Sequence, residues 1–303
     1  MNVRSVTSPV LSSEPPPELS EAPAGEPSPG KNYGIAIVAN DKIADWLLPF
    51  LESYHATNAA TPLYLIPYDD NLTITRRAAS AYGIKVVDEE PKEIDRLAAD
   101  LYPLFPGHRR RLRKLQALSL PLDEVIYVDV DVILFRDLRP IFGSLQAGKA
   151  DFIIASPSFE YVYNHKRDQY PFLQNARLFN DGFFVASNKI LNLQHFIETI
   201  REDAKTFHAV RKRGMLFAQP LVNFVVHRRG LQVAMINECV PNASHESFYK
   251  AEGVSFRDGA PIDARGAEIY FAHWAGAVTL PAKRAFDGAW REFSERAWKR
   301  IGR

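Results

Sequence analysis

Between Tyr33 and Ala155, short apolar runs alternate with stretches of helical spacing, and that alternation leaves the chain few folds to adopt. Tyr33–Ala39 (YGIAIVA) is apolar throughout, as a parallel strand buried on both faces requires. Asp41–Ala56 follows with Ile43, Trp46, Leu47, Phe50, Leu51 and Tyr54 at helical spacing. Leu63–Pro67, Ile84–Val87, Glu124–Val130 and Phe152–Ala155 read as further strands, with helices expected over Thr75–Tyr82 and 109–120. Later, Gly182–Ala186, Leu231–Ile236 and Glu268–Ala272 read as strands, and Leu191–Phe207, Pro220–Arg228 and Ala285–Arg300 as helices. The pattern predicts an α/β fold, a mainly parallel, mixed central sheet with helices on both faces. In such sheets ligands bind beyond the carboxyl ends of the strands.

Residues 1–31 stand apart. Six prolines from Pro15 to Pro29 are mixed with Ser, Glu, Ala and Gly, and so little is apolar that the segment is expected to be a disordered tail. No Pro/Gly-rich linker divides residues 32–303, which read as a single domain. Lys plus Arg is 37 against 36 for Asp plus Glu, a net charge of +1 that lacks the cationic surplus of a nucleic-acid binder. The one cysteine, Cys239, excludes an internal disulfide and a Cys-rich zinc site. No apolar run approaches the roughly 20 residues of a membrane span, and the first residues lack the core of a signal peptide. A cytoplasmic protein is expected.

The segment richest in chemical content is 123–138, DEVIYVDVDVILFRDL. A strand this apolar is buried, yet it carries Asp129 and Asp131. At i and i+2 on a strand, two side chains share a face about 6.5–7 Å apart. Like charges held that close in a poorly solvated crevice are unfavourable unless a cation joins them. Carboxylates around Mn²⁺ or Mg²⁺ satisfy that need; a pair of acids capping a loop or bound to Arg136 and Arg139 is the structural alternative.

This segment resembles the Asp-X-Asp region of nucleotide-diphospho-sugar glycosyltransferases of the GT-A fold, closest to glycosyltransferase family 8. Further matches follow in the family's order. YGIAIVAND resembles the first strand, LYLIPYDD the second, and RLRKLQALSL the basic helix before the metal strand. FNDGFFVASNK resembles the strand beside the donor sugar, FAQPLVNFVVHRRGL the Gln-bearing helix, and IYFAHWAG the late His-X-X-Gly strand. Together they cover most of residues 33–280.

The resemblance implies a metal-dependent transfer of a sugar from a nucleotide-diphosphate sugar, expected to be a UDP-sugar, to an acceptor of unread identity: glycan, lipid, protein or small molecule. Asp129, Asp131 and His273 would hold Mn²⁺ against the donor diphosphate. Ala39, Asn40 and Asp41 would meet base and ribose, with Tyr68 stacking on the base. Arg110 and Lys114, spaced i,i+4, would approach the donor from one helix face. Asn180, Asp181 and Gly182 would lie beside the sugar, Gly276 and Lys283 near the diphosphate. The chain departs from the family at AVTLPAK, where members carry a Lys-Pro-Trp, at Ala218, where many have Asp, and at Asp181, where many have Ser, Thr or Ala. Gln219 matches the glutamine at the reacting face of retaining members; an inverting enzyme would instead use a base, for which Asp181 is the candidate. Retention is the expected outcome.

Three other readings compete. YVDVDVILF also resembles the nucleophile loop of haloacid-dehalogenase phosphatases, in which the first Asp forms a phosphoenzyme. That loop normally opens its domain, whereas long α/β sequence precedes it here. A nucleotidyltransferase would need a Gly-rich phosphate loop that AIVANDKIAD lacks. A non-catalytic nucleotide-sugar binding module would retain the same residues without turnover.

Overall fold

The computed structural model describes residues 30–148, 150–156, 162–212, 218–245, 247–257, 259–277 and 285–302. The Pro-rich residues 1–29 and Lys283 lie outside these. The chain runs β1 (Tyr33–Ala39), α1 (Ala44–Asn58), β2 (Leu63–Pro67), α2 (Thr73–Tyr82), β3 (Lys85–Val86), α3 (Lys92–Leu101) and α4 (Pro106–Arg109). A 3₁₀ helix over Arg110–Ser119 leads to β4 (Glu124–Val128), β5 (Val132–Leu134), α5 (Arg139–Gln146) and β6 (Phe152–Ile154). Next come α6 (Pro171–Gln174), β7 (Phe183–Ser187), α7 (Leu193–Val210), α8 (Ala218–Arg228), β8 (Val233–Met235) and α9 (Ile236–Cys239). The chain closes with β9 (Ser247–Phe248), β10 (Ser255–Arg257), β11 (Ala260–Ile262), β12 (Phe271–His273) and α10 (Asp287–Arg300).

The central sheet has seven strands among the described residues, in the order β3-β2-β1-β4-β7-β6-β8. β1 pairs in parallel with β2 and β4, whereas β7 runs antiparallel between β4 and β6. Its continuous apolar strands sort by the two-residue period of a strand. Ile35, Ile37, Ile126, Val128, Phe183 and Val185 face one core with Leu47 and Phe50 of α1 and Phe142 of α5. Ala36, Val125, Tyr127, Phe184 and Ala186 face the other, with Leu97 of α3, Ile200 of α7 and Leu221 of α8. This is a single α/β domain with the mostly parallel sheet that the alternation predicts, made mixed by the reversed β7 as the resemblance implies. Among the described residues no helix is long and apolar enough to cross a membrane.

Two expectations need correction. The strand expected over Glu124–Val130 stops at Val128; the chain turns through Asp129–Asp131 and enters a second sheet, β5-β12-β9. The acids therefore occupy a turn between two sheets, not alternate positions of one strand. The turn lies at the open carboxyl end of β4, where carboxylates keep partial access to solvent. The helix expected over 109–120 is α-helical only to Arg109 and 3₁₀ beyond it. Leu112, Leu115 and Leu118, all buried, recur every third residue, and a helix of three residues per turn stacks them in one line.

The C-terminal helix α10 packs on α1 around a buried charge. Glu52 is 1% exposed and accepts hydrogen bonds from the Tyr82 hydroxyl (2.7 Å), Arg300 Nε (2.9 Å) and Arg296 Nε (3.1 Å). Burial alone would raise the Glu52 carboxyl, but bonds from Arg300 and Tyr82 and the charges of Arg300 and Arg296 hold it below its ordinary 4.5. Its contribution is thus complete above that value and is lost as pH falls through the lowered one. Replacing Glu52 by Gln is expected to lower stability at pH 7 by about 2 kcal/mol in urea unfolding. The deficit should shrink as pH falls below 4.5, because the wild-type carboxyl then protonates as well; a pH-independent deficit would contradict this account.

Candidate active site

The change of sheet after β4 assembles the site. Antiparallel pairing of β4 with β7 sets Val128 opposite Phe183, so Asp129 falls beside Gly182 and donates its backbone N–H to the Gly182 carbonyl (2.7 Å). In the second sheet His273 pairs with Val132, and Trp274 N–H bonds the Asp131 carbonyl (2.8 Å). The expected strand Glu268–Ala272 is displaced to Phe271–His273, so the imidazole sits within the sheet rather than beyond it. One ligand atom from each of Asp129, Asp131 and His273 falls within 4.8 Å of the others.

Around this cluster the side chains are tightly tied. His273 Nε2 lies 3.2 Å from Asp131 Oδ1, and Phe248 lies parallel to the imidazole at 6.0 Å. The Tyr127 hydroxyl donates to Asp129 Oδ1 at 2.6 Å. Lys114 Nζ stands 3.3 Å from the same oxygen, 3.2 Å from Asp181 Oδ2 and 3.2 Å from the Asp181 carbonyl. Burial works against the Lys114 ammonium, but the charges of Asp129 and Asp181 outweigh it and raise the group above its ordinary value. For Asp131 burial is likewise outweighed, by His273 beside it, and the carboxyl is lowered. Asp181 goes the other way: burial, with Asp129 adding to it, raises the carboxyl despite Lys114. Gly182 leaves room for all this, since a Cβ there would lie 2.6 Å from His273 Cε1 and 3.0 Å from Asp129 Oδ2.

The cluster forms one end of a cavity of about 620 Å³. Of the residues singled out in the sequence, Tyr68, Arg110, Lys114, Asn180, Asp181, Gln219 and Gly276 line it with Asp129, Asp131 and His273. Gly276 takes φ 72° in the turn after His273, a conformation favouring glycine. Gln219, 8% exposed, leaves its Nε2 without a hydrogen-bond partner. Ala39, Asn40 and Asp41 are not among the lining residues. Ala39 is fully buried, and Asn40 donates to Asp69 Oδ2 (2.9 Å). Asp41 accepts from the Ile74 and Thr75 N–H groups (3.1 and 2.8 Å) and the Thr75 hydroxyl, so its carboxylate caps α2.

Arg111 and Trp46 line the cavity too, although the sequence patterns did not single them out. The period of three in the leucines was the available signal for Arg111. It places Arg111, rather than Arg110, in line with Lys114, whereas the i,i+4 spacing of Arg110 and Lys114 presumes an α-helix. Trp46 faces the same cavity while its ring meets Trp290 edge-on at 4.5 Å.

The donor set fits a divalent ion of the Mn²⁺ or Mg²⁺ type: two carboxylates and an imidazole, converging where a side chain on residue 182 would intrude.

No family model matches the chain, and no curated protein matches it in sequence. Solved structures do. The galactosyltransferase LgtC in complex with donor and acceptor sugar analogs is similar at 17% identity and TM-score 0.58, over 88% of this chain and 99% of that one. An LgtC active-site mutant with glutamine replaced by glutamate is similar at 16% identity and TM-score 0.57, over 88% of this chain and 99% of that one. Mouse xyloside xylosyltransferase 1 is similar at 10% identity and TM-score 0.52, over 82% of this chain and 99% of that one. These likenesses do not favour the phosphatase reading of the acid pair. The domain has the GT-A fold of the glycosyltransferases, the fold that the Asp-X-Asp and His-X-X-Gly resemblance implies.

Proposed function

We propose that the protein is a metal-dependent glycosyltransferase that moves a sugar, with retention, from a uridine-diphosphate sugar to an acceptor hydroxyl. The observation that carries this reading is the convergence of Asp129, Asp131 and His273 at one end of a cavity whose lining also holds Arg110, Arg111 and Lys114. When bound, a divalent ion supplies Lewis-acid stabilisation of the charge that develops on the departing diphosphate. Asp129, Asp131 and His273 hold it. Arg110 and Arg111 supply cationic donors for the phosphate oxygens, and Tyr68 and Trp46 offer aromatic faces for the nucleoside.

The sugar side is assigned to Asn180, Asp181 and Gln219. The Gln219 amide has a donor that no group among the described residues accepts from, which suits a ligand oxygen in a buried site. The match of FAQPLVNFVVHRRGL to the family's Gln-bearing helix supports a reacting-face role for it. Asp181 is assigned to orientation rather than to deprotonating the acceptor. Its Oδ2 and its backbone carbonyl each lie 3.2 Å from the Lys114 ammonium, which ties the residue in place beside the sugar.

Substituting Asp131 by Ala is expected to reduce Mn²⁺-supported nucleotide-sugar turnover at least about 100-fold, the loss of some 3 kcal/mol of transition-state stabilisation. The far-UV circular dichroism should not change; activity equal to the parent would remove Asp131 from the site. A panel of nucleotide sugars followed by NMR of the product's anomeric proton should show the donor's own configuration. An inverted product would return Asp181 to the role of base.

A further inference from the structure

We infer that Tyr127 is a positioning residue for the metal site: its hydroxyl fixes Asp129 so that Oδ2, not Oδ1, is the ligand oxygen. This rests on the metal-dependent reading of the site. Tyr127 stands two residues before Asp129, at the end of β4, and is 2% exposed. Its ring does the packing: it stacks on Phe184 at 5.2 Å and 21°, and Phe184 stacks in turn on Phe152 at 5.4 Å and 19°. Phenylalanine would fill that stack equally well. The hydroxyl is the part that packing does not require, and it is spent on Asp129 Oδ1 at 2.6 Å.

The two oxygens of Asp129 are thus distinguished. Oδ1 receives the phenol, and Lys114 Nζ lies 3.3 Å from it while sitting 4.9 Å over the Tyr127 ring. Oδ2 faces the other way, toward the space above Gly182, where a Cβ would lie 3.0 Å from it and 2.6 Å from the imidazole of His273. The Asp129 backbone is held as well, by its N–H on the Gly182 carbonyl (2.7 Å). A carboxylate clamped at one oxygen and at its own peptide presents the second oxygen in a fixed direction. Outer hydrogen bonds of this kind typically change metal affinity by 10- to 100-fold.

The test is a Mn²⁺ titration of the full chain with UDP present, free Mn²⁺ being read by electron paramagnetic resonance, on the parent and on Tyr127→Phe. The expected result is a Kd for Mn²⁺ raised about 10-fold, with UDP affinity in the absence of metal unchanged. A Kd within about twofold of the parent would overturn the inference, being well below the effect expected of such a bond. Phe184→Leu, which loosens the stack and keeps the hydroxyl, separates positioning from packing. Its Kd should stay near that of the parent, and a rise equal to that of Tyr127→Phe would assign the effect to packing and overturn the inference. A parent protein that binds no Mn²⁺ would instead defeat the proposed function, so the two failures are distinguishable.

Discussion

Crowding of negative charge at the carboxyl end of β4 is the constraint around which the rest of the molecule is arranged. Two carboxylates with ligand oxygens within 4.8 Å of each other repel by at least about 3.5 kcal/mol at an effective dielectric of about 20, a large fraction of a domain's net stability. A third acid, Asp181, stands close enough to share one ammonium with Asp129. The chain offsets part of this from within. Lys114 is 13% exposed and serves both acids, Tyr127 donates to one oxygen, and His273 stands against Asp131. The outcome is graded: Asp131 ionises readily, whereas Asp181 resists losing its proton.

The topology decides which groups can share this charge. Were β4 to continue, Asp129 and Asp131 would be enclosed by neighbouring strands. Ending it at Val128 and carrying the chain into the β5-β12-β9 sheet opens the turn toward the cavity. It also recruits partners from distant parts of the sequence: Gly182 through the antiparallel β7, and His273 through the pairing of β12 with β5. A purely parallel sheet would deliver neither. The reversed strand in the middle of the sheet brings the loop before β7 alongside the carboxyl end of β4, and with it Asn180 and Asp181.

What the sequence made legible follows the range of the forces involved. Buried strands and amphipathic helices announce themselves locally, so β1, β2, β4, β6 and α1 fall close to where apolar runs and helical spacing put them. The change of sheet inside EVIYVDVDVIL does not, because the pattern is apolar on both sides of Asp129 and the switch is set by strands that arrive far later in the chain. Asp41 shows the same limit. An acid at a strand end looks alike whether it meets a ligand or caps a helix, and its partners Ile74 and Thr75 belong to the second helix. The 3₁₀ helix was readable in principle, since Leu112, Leu115 and Leu118 repeat every third residue rather than at alternating intervals of three and four.

The departures from the family pattern become coherent once the cavity is considered as a whole. The resemblance implies an acid at Ala218 in many members and a small residue at Asp181; both positions line this cavity, so a carboxylate at either the first turn of α8 or the loop before β7 would reach it. These two elements are locked together. Asn223 of α8, fully buried, accepts from the Phe179 N–H (3.0 Å) and donates to the Phe179 carbonyl (2.9 Å) and the Gln219 carbonyl (2.9 Å). Asn180 Oδ1 in turn takes the Gly182 N–H (2.7 Å). An acid on either element therefore keeps a fixed relation to Gln219. At residue 181 it also reaches Lys114, which an acid on α8 would have to reach from the other element. The first turn of α8 carries no acid and, among the described residues, its Gln219 amide donor has no partner, while the carboxyl of residue 181 stands beside the Lys114 ammonium.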